Sequence, residues 1–559
     1  MSLMGSLYLG VSGLQTSSNA LNTTAHNMSN LDTLGYTRQQ VAQATRTYNT
    51  IDKSQGVNWK QLGLGVTYSQ TRQVRDYFLD KNYRRESGRS AFYEVSYKAM
   101  EEIENVIGES YDGHAFSIAV TDLWTAVEEL SKDPTAAVNQ NLFVTRAHEF
   151  ITKAAAVYNG LCEYQDNMNN TVAQDVNKIN QYAREIEALN KEIARVEGGV
   201  EHANDLRDRR NYLLDELSKL ANISYNEDNN GYMSVKLEGV DLVKGGLVNE
   251  MMLYTDPTTG FYTPYWKMLA NYSYDEYGNQ YLTKESLKSA QVFDLSMTIS
   301  SDLNTDIGSL KSTVLARGDH RATAKEIKDI NPDNEYEEGW YDIHISQSIV
   351  MNIQAEFDQL INAVVTKING ILKEAAESES ALYPNSTYLR DENGNPYQLF
   401  ERVVENDDTY TLPDGTVVEA GWSINNIKIN MELRQKPSLL TFRLTDGSED
   451  NATTEKLKNA FEEAIYTLNP NVKTPVSFVD YYKNLVAQVA NSGSVFGDVV
   501  ESQTLTTDSL CNAREQVIGV SSDEELTNMI MYQNAYNASS RYINVISEML
   551  EHILMSLGR

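Results

Sequence analysis

The sequence predicts a mainly α-helical protein with β-rich insertions: a terminal α-helical coiled-coil layer, a helical-bundle middle domain and a small β-rich outer domain. Three observations lead there. Apolar residues recur seven apart at both ends of the chain, further heptads run through the interior, and two interior stretches alternate like short strands around Asn-Gly and Asp-Gly turns.

At the N-terminal end Leu7, Leu14, Leu21 and Met28 stand seven apart, beside a row of the small residues Gly10, Ser17 and Thr24. One narrow seam on a helix is a coiled-coil pattern, and small neighbours let a partner helix come close. Residues 1–31 hold no Asp, Glu, Lys or Arg although 22% of the chain is charged. Such a helix suits a packed wall, where an unpaired charge would carry a desolvation cost. Asn30, Asp32 and Gly35 then end the helix and turn the chain, and TRQQVAQATRTY continues in an extended style. Tyr36 and Arg38, just past the turn, are placed to pack or pair beside the returning C-terminal helix.

The opposite end repeats the arrangement. Met529, Tyr536, Ile543, Leu550 and Leu557 are seven apart, with Tyr532, Ile546 and Ile553 on the row three residues on. Ser522 is a candidate N-cap, with Glu525 three residues later and Asp523 and Glu524 favouring the helix start electrostatically. Isolated helices are marginal in water, so the two terminal helices are expected to pack on each other or on other copies.

Between them, VRDYFLDKNYRRESGRSAFYEVSYKAMEEIENVIG and FSIAVTDLWTAVEELSKDP read as helices. Val172, Ile179, Ile186 and Ile193 form a seam that stops at Gly198-Gly199, after which Leu206, Leu213 and Leu220 return, giving an antiparallel helical hairpin. A helix is expected again at SIVMNIQAEFDQLINAVVTKINGILKEAA and at TTEKLKNAFEEAI. The resulting division is 1–45 and 520–559 as the two halves of an inner coiled-coil domain; 46–235, 344–375 and 441–519 as the helical middle; 236–343 as a β-rich, irregular outer region; and 376–440 as a small β-rich insertion.

Composition narrows the function. With 47 Lys plus Arg against 78 Asp plus Glu, the 559-residue chain has a formal charge of −31, which argues against nucleic acid or an anionic membrane as a partner. No apolar window reaches the length of a membrane span, and MSLMGSLYLGVSGLQTS lacks the basic start and unbroken apolar stretch of a secretory signal. Cys162 and Cys511 are expected to be small apolar fillers. Seven scattered histidines include no His-x-x-x-His pair, and no nucleophile elbow or phosphate loop occurs, so no catalytic, cofactor or metal residues are assigned. The EEIE and VENDD runs lack calcium-loop spacing and read as solvated charge. RDRR at 207–210 reads as an ion-pair surface on the polar face of the hairpin.

LYLGVSGLQTSSNALNTTAHNMSNLDTLGYTRQQV resembles the N-terminal signature of flagellar rod, hook and hook-associated axial proteins, an Asn-x-x-Asn-x-x-Thr-x-Gly-Tyr-x-Arg pattern met by Asn27, Asn30, Thr33, Gly35, Tyr36 and Arg38. GVSSDEELTNMIMYQNAYNASSRYINVISEMLEHIL is similar to its C-terminal partner, with Asp523, Glu524, Glu525, Tyr532, Gln533, Ala535 and Tyr536 in place. FLDKNYRRE, DLWTAVEELSKDP, HANDLRDRRNYLLDELSKLANI and DLVKGG resemble the hook-associated branch of the family. The resemblance covers roughly 1–250, 344–375 and 420–559, and no counterpart is recognised for 254–343 and 383–420.

What the resemblance implies is a nonenzymatic structural subunit at the hook–filament junction of a bacterial flagellum. It implies self-association in a junction layer, contact with hook protein on one side and hook-associated protein 3 on the other, a cytoplasmic export chaperone, and type III export without a cleaved signal peptide. Assembly would run through Leu7, Leu14, Leu21, Met28, Asn30, Gly35, Tyr36 and Arg38 at one end. At the other it would use Tyr532, Tyr536, Ile543, Ile546, Leu550, Ile553 and Leu557. The competing reading is a flagellum-borne adhesin or enzyme active in the unmatched insertions.

Overall fold

The computed structural model describes residues 3–46, 49–55, 58–108, 116–199, 202–275, 277–330, 339–404, 409–411, 417–419 and 421–558. Helix α1 (Leu3–Ser29) leads into strands β1 (Gln39–Thr45), β2 (Asn49–Gln55), β3 (Asn58–Leu62) and β4 (Val66–Gln73). β1 pairs antiparallel with β4 from Gln39 opposite Gln73 to Thr45 opposite Val66, and β2 with β3. The helical reading of 46–235 therefore fails at its start. Of this β segment only the extended run after Arg38 was legible.

The helical middle begins at α2 (Tyr77–Ile107), where the Asp76 carboxylate accepts from the amides of Phe78 and Leu79. It continues through α3 (Phe116–Lys132), α4 (Ala137–Glu197) and α5 (Asn204–Leu220). The expected hairpin is thus α4 and α5, but α4 is 61 residues long and starts well before the seam that betrays it.

The outer region is more regular than its sequence suggests. β5 (Ile223–Glu227), β6 (Met233–Leu237), β7 (Val240–Lys244) and β8 (Leu247–Val248) form a four-stranded antiparallel sheet. β9 (Met251–Thr255) pairs with β10 (Tyr262–Trp266), and β11 (Tyr272–Tyr274) with β12 (Gln280–Leu282). Short helices α6 (Lys284–Ala290), α7 (Ser309–Arg317) and α8 (Trp340–His344) precede the expected long helix α9 (Ile349–Leu382). The small insertion holds β13 (Phe400–Arg402) against β16 (Ile427–Ile429), and β14 (Thr409–Thr411) against β15 (Val417–Glu419). Residues 405–408 of the VENDD run lie outside the described residues. Then come α10 (Met431–Gln435), α11 (Asn451–Glu462), α12 (Phe478–Ile518) and α13 (Ser522–Leu557).

Two apolar cores lie along α4. One gathers Phe143, Phe150 and Leu161 of α4 with Leu123 of α3, Phe357 and Leu360 of α9, Phe461 of α11 and Tyr482 of α12. The other packs Val172, Ile179 and Ile186 of α4 against Leu213 and Leu217 of α5, Val235 and Leu237 of β6, and Trp266 of β10. The expected heptad seam is therefore buried. Cys162 is buried and Cys511 half-buried, and both are free thiols.

Candidate assembly interface

The two chain ends meet. α1 lies along α13 on one side and against β1 and β4 on another. A Cβ on Gly10 would stand 2.8 Å from Ile543 Cγ1 and 3.1 Å from Tyr542 Cδ1, and one on Gly13 2.8 Å from Ser539 Oγ, so glycine is what lets the helices approach this closely. Among the described residues of α1 the buried positions are small and mostly polar: Ser6, Gly10, Ser12, Thr16, Ser17, Ala20, Thr24 and Asn27. Leu7, Leu14, Leu21 and Met28, expected to form the seam, are half-buried. Gly10, from the row of small residues read as a flank, lies against α13, while Ser12 and Asn27 bond the strand segment at Val66 and Gln39.

On α13 the side chain of Ile546 is 6% exposed, while Tyr532, Tyr536, Ile543 and Leu550 are half-buried. Ile553 is exposed, and the side chain of Leu557 lies outside the described residues. The N-cap is Ser521, whose hydroxyl accepts from the Glu524 amide, one residue earlier than the expected Ser522. Other apolar side chains are left exposed: Leu526, Ile530, Met531, Val545, Met549 and Leu554 on α13, and Tyr8, Leu9 and Val11 on α1.

The turn after α1 is a connected polar joint. Gly35 has φ +78°, a conformation that favours glycine, and a Cβ there would also press on the Tyr212 side chain at 3.1 Å. Asn30 Nδ2 donates to the His26 carbonyl, and its Oδ1 accepts from Thr33 Oγ1 at 3.1 Å. The Asn27 amide pairs with the Gln39 backbone in both directions, at 2.9 and 3.0 Å, and its Oδ1 also accepts from the Tyr36 hydroxyl at 2.8 Å. Burial, with Asp205, Asp208 and Glu525 nearby, pushes the Tyr36 pKa well above its ordinary value, so the phenol stays a donor. Arg38 reaches α13: Nε donates to Glu525 Oε1 at 3.0 Å and Nη1 to Glu524 Oε2 at 2.9 Å, while its amide donates to the Ile518 carbonyl at 2.8 Å. Tyr36 and Arg38 thus make these contacts within one chain, joining the end of α1 to the start of α13.

RDRR departs from its sequence reading. Asp208 and Arg210 are buried. Asp208 accepts from the Thr37 amide at 3.1 Å and from Gln73 Nε2 at 2.7 Å, and burial raises its pKa to about 6. Arg210 donates to Asn190, the Gly231 carbonyl and Glu227. Burial lowers its pKa from the ordinary arginine value, which its pairing with Glu227 offsets only in part. The motif fastens α5 to the inner layer and to the outer sheet; its alternating charges concealed that, because a solvated ion-pair face has the same appearance.

Next to this joint is a buried ionic chain that the sequence reading missed. Arg75 Nε donates to Asp80 Oδ2 at 2.7 Å; Asp80 Oδ1 lies 2.9 Å from Arg514 Nε, off the N–H axis; Arg514 Nη2 donates to Asp215 Oδ2 at 2.7 Å; and Asp215 Oδ1 accepts from Arg84 Nε at 2.6 Å. Burial pushes the Asp80 carboxyl up, but the Arg75 hydrogen bond and the charges of Arg75, Arg514 and Arg84 outweigh it and hold the pKa below its ordinary value. The signal available beforehand was Arg514 itself, the only basic residue between Lys483 and Arg541. Among the described residues no group of three or more His, Cys, Asp or Glu is arranged to hold a metal ion, and no helix is long and apolar enough to cross a membrane.

Comparison with known proteins matches this arrangement region by region. The flagellar hook-associated protein FlgK helical domain matches residues 100–288, the flagella basal body rod protein family 7–37, and the flagellar basal body rod FlgEFG protein C-terminal family 517–556. Flagellar hook-associated protein 1 of Bacillus subtilis is 26% identical over 96% of this chain and 95% of its own length. Its counterpart in Escherichia coli is 22% identical over 97% of this chain and 98% of its own. The structure of the flagellar hook junction protein FlgK from Burkholderia pseudomallei shares the fold, with a TM-score of 0.51 at 12% identity over 78% of this chain and 99% of that one. From the paired terminal helices through the helical middle, the chain is similar along nearly its whole length to flagellar hook-associated protein 1, and its two ends match the axial-protein family that their motifs resemble.

Proposed function

We infer that this chain is a structural subunit of the bacterial flagellum that forms the junction between hook and filament. The observation that carries the reading is the joined pair α1 and α13, two helices in close contact at Gly10 and Gly13 that leave apolar side chains such as Ile530, Val545 and Met549 exposed, in a chain similar from end to end to hook-associated protein 1. Burying those side chains against neighbouring copies yields roughly 25 cal/mol per Å² of apolar surface, which favours assembly without any covalent step. The acidic middle and outer regions then face away from the inner wall. Hook protein on one side and hook-associated protein 3 on the other are the neighbours this position implies. A chaperone covering the exposed apolar side chains of α13 before type III export keeps the helix from aggregating.

Two substitutions on α13 separate the faces. Met549→Asp charges an exposed apolar position, and is expected to abolish chaperone binding and assembly while leaving the monomer folded. Ile543→Asp charges the row against Gly10, and should also loosen α1. Asn544→Asp, on an exposed position, should change neither. A strain lacking the chain should make hooks and shed unassembled filament protein; normal swimming in that strain, or with Met549→Asp, contradicts the reading.

A further inference from the structure

A cavity of 530 Å³ opens between the start of α2 and strand β5, lined by Tyr77, Lys81, Arg84, Arg85, Tyr225 and Asn304 among others, and by no Asp or Glu. Three cations converge on it in a chain whose formal charge is −31. Arg84 is buried; its Nε is taken by Asp215 and its Nη2 by Asn211, and Nη1 has no hydrogen-bond partner among the described residues. The Arg84 guanidinium lies 4.5 Å from the centre of the Tyr225 ring, and the Tyr225 hydroxyl, itself shielded from solvent, has no hydrogen-bond partner among the described residues. Lys81 is exposed and makes no ion pair among the described residues, and Arg85 bonds Glu86 through Nε alone. Tyr77, 66% exposed, lines the opening. Unused donors and aromatic walls of this kind fit a carboxylate.

The same helix carries the complementary group. Glu101, Glu102 and Glu104, near the C-terminal end of α2, are exposed, and none makes an ion pair among the described residues. About 30 Å of helix separates the two ends, which keeps them from meeting within one chain. Glu101 and Glu104 share the i, i+3 spacing of Lys81 and Arg84, so the two sets present matched pairs on one face each. Neighbouring copies that each carry −31 repel at long range, and a local contact of opposite sign sets their register.

We propose that the cavity is a carboxylate-binding pocket that takes the Glu101–Glu104 turn of a second copy of this chain. The contact is heterologous, pocket of one copy to acidic turn of the next, the class that repeats around a ring or along a helix. It rests on, and deepens, the reading of the chain as a self-associating subunit.

The test uses full-length chain, an equal mixture of isotopically labelled and unlabelled protein, treated with a zero-length carbodiimide and mapped by mass spectrometry for mixed-isotope cross-links. Lys81 is expected to be joined to Glu101, Glu102 or Glu104 of the other copy. Arg85→Glu should lower that cross-link at least fivefold, and Arg85→Lys should keep it. Mixed-isotope cross-links elsewhere with none from Lys81, or Lys81 joined only to carboxylates outside 101–104, overturn the pocket's assignment and leave self-association standing. No mixed-isotope cross-link at any concentration overturns both.

Discussion

The helical middle and the paired ends are built from the same element and held by different means. In the middle, α3, α4 and α9 each bury a full apolar face, and Phe116 meets Phe357 and Tyr482 edge-on and Phe150 at a tilt within one core. At the ends, the described residues of the 27-residue α1 and the 36-residue α13 bury one apolar side chain apiece, Ala20 and Ile546. A helix with that little burial is stabilised by its cap, by its neighbour and by whatever covers its exposed apolar side chains. The middle holds most of the apolar burial, and the ends leave apolar side chains exposed.

Removing the ends tests this division most severely. The fragment 75–519, which keeps Arg75 and the buried ionic chain, should retain helicity and a cooperative melt by circular dichroism yet lose incorporation into flagella completely. A molten fragment would mean that α1 and α13 belong to the main core.

Within the middle, Arg514→Met removes the central cation and leaves Asp80 and Asp215 each with one partner. A loss of about 3–5 kcal/mol in urea denaturation is expected, since two buried carboxylates each lose a cationic partner at 2.7–2.9 Å. A smaller effect comes from Glu356 on α9, buried against Asn469 and Gln488; burial raises its pKa from 4.5 to about 7, against the opposing pull of those amides. The folded state therefore holds the proton more tightly than the unfolded one. The resulting stabilisation is complete below pH 4.5 and disappears as the pH rises through about 7. Wild-type protein should lose up to about 3 kcal/mol across that window, and Glu356→Gln should flatten the profile.

The same chemistry at the ends is worth less. Arg38→Ala leaves the buried Glu525 carboxylate without its partner and should cost about 1–2 kcal/mol. Glu524→Gln, at the exposed partner, should cost about 0.5 kcal/mol or less. Hydrogen exchange of α1 and α13 checks both, and equal losses for Arg38→Ala and Arg514→Met would erase the contrast between the regions.

Much of this was legible because it is periodic. Val172, Ile179 and Ile186 announced both a helix and its buried face, and Gly198-Gly199 marked the end of it. The turn at Gly35 could be read because few other residues accept its backbone conformation. The burial of α1 was not legible, since Leu7, Leu14 and Leu21 are more conspicuous than the small residues that are buried more deeply. Asp80, Asp215 and Arg514 escaped because their pairing depends on three helices distant in sequence, and nothing local distinguishes a buried charge from a solvated one.

The length of α4 has a mechanical consequence. Sixty-one residues make a rod of about 90 Å, and the two apolar cores adjoin on it, one ending at Met168 and the other starting at Val172. Torsion or bending applied to either core passes directly into the other, with no flexible joint in which to dissipate. The shared rod couples the two cores: a scanning calorimeter should record a single endotherm, whereas two separate ones would mean that they unfold independently.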